Sequence, residues 1–152
     1  MGHTFAAKSG WLAARIKGMG QMLEEMKHIE ADIINDLREL QDKMSQYTFI
    51  VTCGLDSLPD YPEQHKDDAH LIHECQVNTW VYIDWADGRL KLRAVSESLV
   101  INGALSFLIE IYDGRSAAEI QAFHCSMLDE PSFRIYFTHD QLNGLANIIK
   151  KF

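Results

Sequence analysis

Proline and cysteine are both scarce in this sequence, with three of each among 152 residues. Three cysteines, Cys53, Cys75 and Cys125, cannot all pair within one chain, and no two form a C-x-x-C motif. That excludes a disulfide framework and the common zinc and dithiol signatures. Basic runs are also missing. The net charge is −8, from 14 basic and 22 acidic residues. Nucleic acid and anionic membrane surfaces both need clustered Lys and Arg, so neither is an expected partner. An acidic face can still meet a basic protein surface.

Long apolar runs are absent too. None approaches the ~20 residues that span a bilayer. Met1–Gly20 lacks the continuous apolar core of a signal peptide. A cytoplasmic protein with reduced thiols is expected. There is no glycine-rich phosphate loop: the only G-x-G spacing is Gly18 with Gly20, and no strand precedes it. Paired-carboxylate and Ser/His/Asp catalysis leave no local signature, and no internal repeat is visible.

What is present suits one domain. The length fits a single core, and 47% hydrophobic with 24% charged residues is an ordinary globular balance. Met1–Gly20 reads as an N-terminal arm of unassigned role, with Trp11, Leu12 and Ile16 on one short amphipathic turn. From Gln21 to about Met44, Met22, Met26, Ile29, Ile33, Leu37, Leu40 and Met44 recur at spacings of three and four. That predicts one amphipathic helix. Its methionines read as core filling. Tyr47–Leu55 predicts a second helix packed on the first, with Cys53 near its end. Asp56–Asp68, with Pro59 and Pro62, predicts a surface loop.

Val77–Asp84 alternates. Val77, Thr79, Val81 and Ile83 share one face, and Asp87-Gly88 is a turn signal. Arg89–Val95 alternates again, so a β-hairpin is expected. Ser96 reads as the N-cap of a helix with a broad apolar face of Leu99, Val100, Gly103, Ala104, Phe107, Leu108 and Ile111. Asp113-Gly114 stops it. Ser116 and Glu119 make a capping box for a short helix through Ala122. His124–Pro131 reads as loop, and Ser132–Phe137 has the alternation of a possible third strand. Thr138 and Gln141 cap a last helix, His139–Lys151. The order of elements predicts an α+β fold.

Chemistry concentrates between His65 and Trp80. His70, His73 and Cys75, spaced H-x-x-H-x-C, could supply three metal ligands from one loop, though the spacing matches no standard zinc motif. Alternatively Cys75 is a reactive thiol at a loop-to-strand junction. His73 could then stabilise its thiolate and Glu74 would oppose it. From composition alone, a small apolar residue is the plainer reading of Cys75.

Several segments together resemble the SufE family. They are L-P-D-Y-P-E at Leu58–Glu63, H-L-I-H-E-C-Q at His70–Gln76, Trp80, A-V-S-E-S-L-V-I-N-G at Ala94–Gly103, Tyr112-Asp113-Gly114-Arg115, and Asn143-Gly144-Leu145. They follow in family order from about Asp36 to the C-terminus. The resemblance implies a SufE/NifU-like two-layer sandwich, a small antiparallel sheet with flanking helices, as one domain over residues 21–152. It implies a sulfur acceptor that works with a cysteine desulfurase in iron–sulfur cluster assembly, rather than a stand-alone enzyme.

Cys75 matches the family's acceptor cysteine, which takes a persulfide sulfur from the desulfurase. His73, Glu74, Gln76, Gln141, Asn143 and Gly144 are then expected to support its loop or the partner surface. No cofactor and no resident metal are implied, and the protein would be a monomer or homodimer. Four positions depart from the family pattern. Glu74 stands where Gly is usual, Val77 for Ser, Val95 for Asp, and Gln141 for the Arg of R-x-N-G. Two alternatives stand beside this reading: a protein-binding module that has kept the fold without sulfur chemistry, and a metal protein using His70, His73 and Cys75.

Overall fold

Asp42 decides how the first half of the chain is divided. Its carboxylate accepts the Ser45 amide at 2.8 Å and the Ser45 hydroxyl at 2.8 Å, which starts a new helix. The first helix, expected to reach Met44, therefore ends earlier, and the second begins before Tyr47. In the computed structural model, which describes the backbone of residues 2–152 and the side chains from Gly20 on, α1 runs Gly2–Glu39 and α2 runs Lys43–Ser57. The side chains of the expected N-terminal arm, with the Trp11, Leu12 and Ile16 turn, lie outside the described residues. The α1 stripe is as predicted: Met26, Ile33 and Leu37 are buried. Met44 lies beyond the break and is exposed.

The hairpin forms as read. Strand β1 (Thr79–Ala86) pairs antiparallel with β2 (Arg89–Ser96), placing Thr79 opposite Ser96 and Trp80 opposite Val95. Asp87 and Gly88 both take positive φ, 54° and 73°, as a two-residue type I′ turn requires.

Helix α3 (Leu99–Tyr112) is the hub, touching α1, α2, β2 and the last helix. Its cap is Ser98, whose side chain accepts the Ile101 amide, and not Ser96. Ser96 is the buried end of β2, where its Oγ accepts from the Thr79 hydroxyl at 2.8 Å. Asn102 reaches back from α3 and pairs with the Ser96 backbone both ways, at 2.7 and 2.9 Å. The helix is buried nearly all round, apart from Leu99 at its start and Glu110 near its end, which are exposed. Helix α2 packs on α3 rather than on α1. The crossing is close because both helices put a glycine there. A β-carbon on Gly54 would meet Gly103 N at 2.6 Å, and one on Gly103 would run into the Ile50 backbone.

Tyr112-Asp113-Gly114-Arg115 stitches α3 to the outer edge of β2. Asp113 Oδ1 accepts the Leu92 amide at 2.9 Å, Gly114 donates to the Leu90 carbonyl at 2.8 Å, and Arg115 O accepts the Leu90 amide at 2.9 Å. Gly114 takes φ 81° to make the turn. The Ser116–Glu119 capping box then starts α4 (Ala117–Ala122).

Ser132–Phe137 is not a strand. Glu130-Pro131 opens a short helix, α5 (Pro131–Arg134), because proline at N1 has its φ preset for a helix. The sheet has two strands among the described residues. Helix α6 (His139–Lys150) begins at the predicted Thr138–Gln141 capping box and packs on α3. No described helix is long and apolar enough to cross a membrane.

Candidate functional site

The loop that carries Cys75 is closed at its base and tied at its flank. The Ile72 amide donates to the Thr79 carbonyl at 2.8 Å, and Leu71 bridges Trp80. Asn78 O accepts the Glu97 amide at 3.0 Å. Residues 73–78 therefore project as a short hairpin-like loop ahead of β1. Gln76 reaches across to α6, its Nε2 donating to Asp140 Oδ2 at 3.4 Å. Cys75 is half-buried between these anchors and packs against the edge of the core.

Its sulfur rests on Gly144 in α6. A β-carbon there would stand 2.5 Å from Sγ, so only glycine leaves the thiol this seat. Two expected site residues, Cys75 and Gly144, are thus in direct apposition. The loop docks onto α6 past its first turn. The capping box already occupies the amides of Thr138 and Gln141, at 2.9 and 3.1 Å. Those amides are not the seat of the sulfur.

Burial pushes the Cys75 thiol above its ordinary value, and the charge of Glu74 adds to the rise. The Thr79 hydroxyl can oppose this by hydrogen-bonding the sulfur, but its single proton is better placed on Ser96 Oγ at 2.8 Å. Desolvation therefore dominates, and the docked thiol is protonated at neutral pH. His73 is exposed and is not among the groups that shift Cys75. Glu74 is also exposed. Cys125 is buried deeper, with its thiol pushed up to about 12, and Cys53 is raised by burial and nearby carboxylates. Cys75 is the cysteine on a loop tip.

The remaining expected residues separate. Gln141 is spent on the capping box. Asn143 is exposed and faces away from Cys75. With Leu142, Ala146 and Ile149 it lines a cavity of about 450 Å³ that also takes in Tyr112, Phe123 and Cys125. A helix turns ~100° per residue, so neighbours in sequence can serve opposite faces. Sequence reasoning missed Asp140 and Thr79. Thr79 was legible as the residue four beyond Cys75 on the alternating face, whereas Asp140 becomes a contact only through the tertiary fold.

The metal set expected from H-x-x-H-x-C is not the one that converges. His65, Asp67 and His70 come together instead, with His70 Nδ1 2.6 Å from Asp67 Oδ1.

The chain and its fold match known proteins. The model of the SufE Fe-S metabolism associated domain matches residues 31–152, and the chain belongs to that family. The chain is 23% identical over 121 residues to the "Cysteine desulfuration protein SufE" of Wigglesworthia glossinidia brevipalpis, covering 78% of this chain and 83% of that protein. It is 28% identical over 111 residues to the "Sulfur acceptor protein CsdE" of Escherichia coli, covering 72% and 73%. A solution structure of a hypothetical protein from Thermus thermophilus shares the fold, with a TM-score of 0.59 at 16% identity over 81% of this chain and 89% of that one.

Proposed function

We propose that this protein accepts sulfur on Cys75 from the persulfide of a cysteine desulfurase and passes it on for iron–sulfur cluster assembly. The observation that carries the reading is the seat of Cys75: a single thiol at the tip of a loop, docked on the glycine of the Asn143-Gly144-Leu145 segment. A thiol held this way is protected at rest and becomes competent when a partner draws the loop off α6. Leaving the seat removes the desolvation that holds the proton on the sulfur.

The step is an exchange at sulfur. Cys75 first gives up its proton to solvent or to a base on the partner. The thiolate attacks the outer sulfur of the donor's Cys–S–SH. The donor S–S bond breaks and its cysteine leaves as a thiolate, while Cys75 becomes Cys–S–SH. No net electron is gained or lost. Gln76, through Asp140, sets the angle of the loop. Such a role fits a reduced, cytoplasmic setting, in which all three cysteines remain free thiols.

The test is incubation with a cysteine desulfurase and free cysteine, followed by intact mass and peptide mapping. One added sulfur on Cys75 is expected. No adduct, with normal loading of a SufE-family control, overturns the acceptor role. A second reading follows from Glu74, whose charge works against a thiolate: the domain docks a desulfurase without taking sulfur. Binding unaffected by Cys75→Ser, together with no desulfurase stimulation, would favour it.

A further inference from the structure

We propose that His65, Asp67 and His70 form a site for one divalent first-row metal ion, zinc being the best fit to two imidazoles and a carboxylate. This site is separate from Cys75 and does not rest on sulfur transfer.

The geometry is local and convergent. One ligand atom from each residue lies within 4.8 Å of the other two. Tetrahedral zinc, with bonds of about 2.0–2.1 Å, holds its ligands roughly 3.4 Å apart, so a small inward adjustment closes the set. Three protein ligands leave one position for water, as in open zinc sites.

The segment is held from several directions. The Tyr61 hydroxyl donates to the His65 carbonyl at 2.7 Å. The His65 ring stacks on Tyr82 of β1, with centroids 4.4 Å apart and planes 13° apart. Lys66 Nζ sits 4.9 Å from the centre of the Trp80 ring. Asp67 caps the turn Asp68–His70. Leu71 bridges to Trp80. Fixed backbone on both sides lowers the ordering cost that a metal site in a free loop would bear.

Asp67 Oδ1 and His70 Nδ1 already lie 2.6 Å apart. An ion bound between them would take Nδ1, leaving the His70 N–H on Nε2. The carboxylate supplies one negative charge and the imidazoles bind neutral, which suits a borderline cation over Mg²⁺ or Ca²⁺. Because the residue after next, Ile72, forms the neck of the Cys75 loop, an occupied site would also stiffen the approach to that loop.

The test is titration of the full chain with Zn²⁺ by calorimetry and with Co²⁺ by absorbance. One equivalent is expected, with weak visible Co²⁺ bands and no intense thiolate charge-transfer band. His65→Ala, His70→Ala and Asp67→Asn should each weaken binding at least about tenfold. Asn caps helices as well as Asp does, so Asp67→Asn separates ligation from folding. Thermal melts of each variant check that the fold persists. Cys75→Ser and His73→Ala should change nothing. Absence of a saturable equivalent, a thiolate band, or binding lost with Cys75→Ser or His73→Ala but kept without His65 and His70 would overturn the site.

Discussion

The sulfur of Cys75 is seated on Gly144, closely enough that one added methyl group would stand 2.5 Å from it. The seat makes Gly144→Ala informative. Alanine is favoured over glycine inside a helix by up to about 1 kcal/mol, while overpacking costs typically 1–3 kcal/mol. The global change should therefore stay below about 2 kcal/mol. The loop, which is the softer partner, should be the part that moves. We expect Cys75 in the variant to be alkylated faster than in the parent at the same pH. An unchanged alkylation rate would mean that the helix yields and the seat does not hold the thiol.

The pH profile of that reaction carries a sign. Burial and Glu74 both raise the Cys75 pKa, so the thiolate fraction at any given pH falls. Alkylation of the parent should keep rising beyond pH 9, the ordinary value, without a plateau near neutrality. Glu74→Gln removes the smaller of the two effects, so its profile should shift to lower pH and its rate at pH 8 should rise. A neutral reagent keeps its own charge out of the comparison.

Glu30 tests the interior. It is buried on α1, and its carboxylate accepts the Ser126 amide at 3.0 Å, the Ser126 hydroxyl at 2.7 Å and the Met127 amide at 3.2 Å. Glu30→Ala orphans these donors and should cost about 2–3 kcal/mol in urea unfolding. It should also lower the Cys125 pKa, because Glu30 is the largest contributor after desolvation to a value of about 12.

Where α2 crosses α3, Gly103→Ala should destabilise by at least about 2 kcal/mol, because the obstacle is the Ile50 backbone and cannot rotate away. Its effect on thermal unfolding should exceed that of Gly144→Ala.

Arg38 and Glu130 join α1 to the start of α5 through paired bonds of 2.9 and 2.6 Å. The pair holds Glu130 below its ordinary 4.5. A depressed carboxylate contributes stability that is present above its unfolded pKa and lost as pH falls through the folded one. Arg38→Ala should lower Tm at pH 7. That deficit should shrink once pH drops below 4.5.

Much of this was legible in the sequence. Apolar spacing located α1 and α3, Asp87-Gly88 located the hairpin, and two capping boxes located α4 and α6. Cys75 with Gln76, and Asn143-Gly144-Leu145, marked two segments that the fold brings together. What escaped depended on competition between nearby signals. Ser98 rather than Ser96 caps α3 because Ser96 is already bonded within the hairpin. Asp42 broke a stripe that apolar spacing alone carries through to Met44. The alternation of Ser132–Phe137 yielded to Pro131 at a helix start. His73 matched the H-x-x-H-x-C spacing but points to solvent, while His65 enters the cluster by stacking on a strand seventeen residues away in sequence.

The stitching of β2 limits how another chain can bind. Leu90, Leu92 and Ser96 have their outward amides engaged by Arg115, Asp113 and Asn102. Of the outward positions on β2 only Ala94 is not so engaged among the described residues, so a strand arriving from outside finds no continuous ladder on that side. Extension of the sheet is confined to the outer edge of β1 beyond Trp80, where Leu71 ceases to cover it. A strand that adds to this sheet would therefore do so on β1, the strand that follows the Cys75 loop, and not on β2.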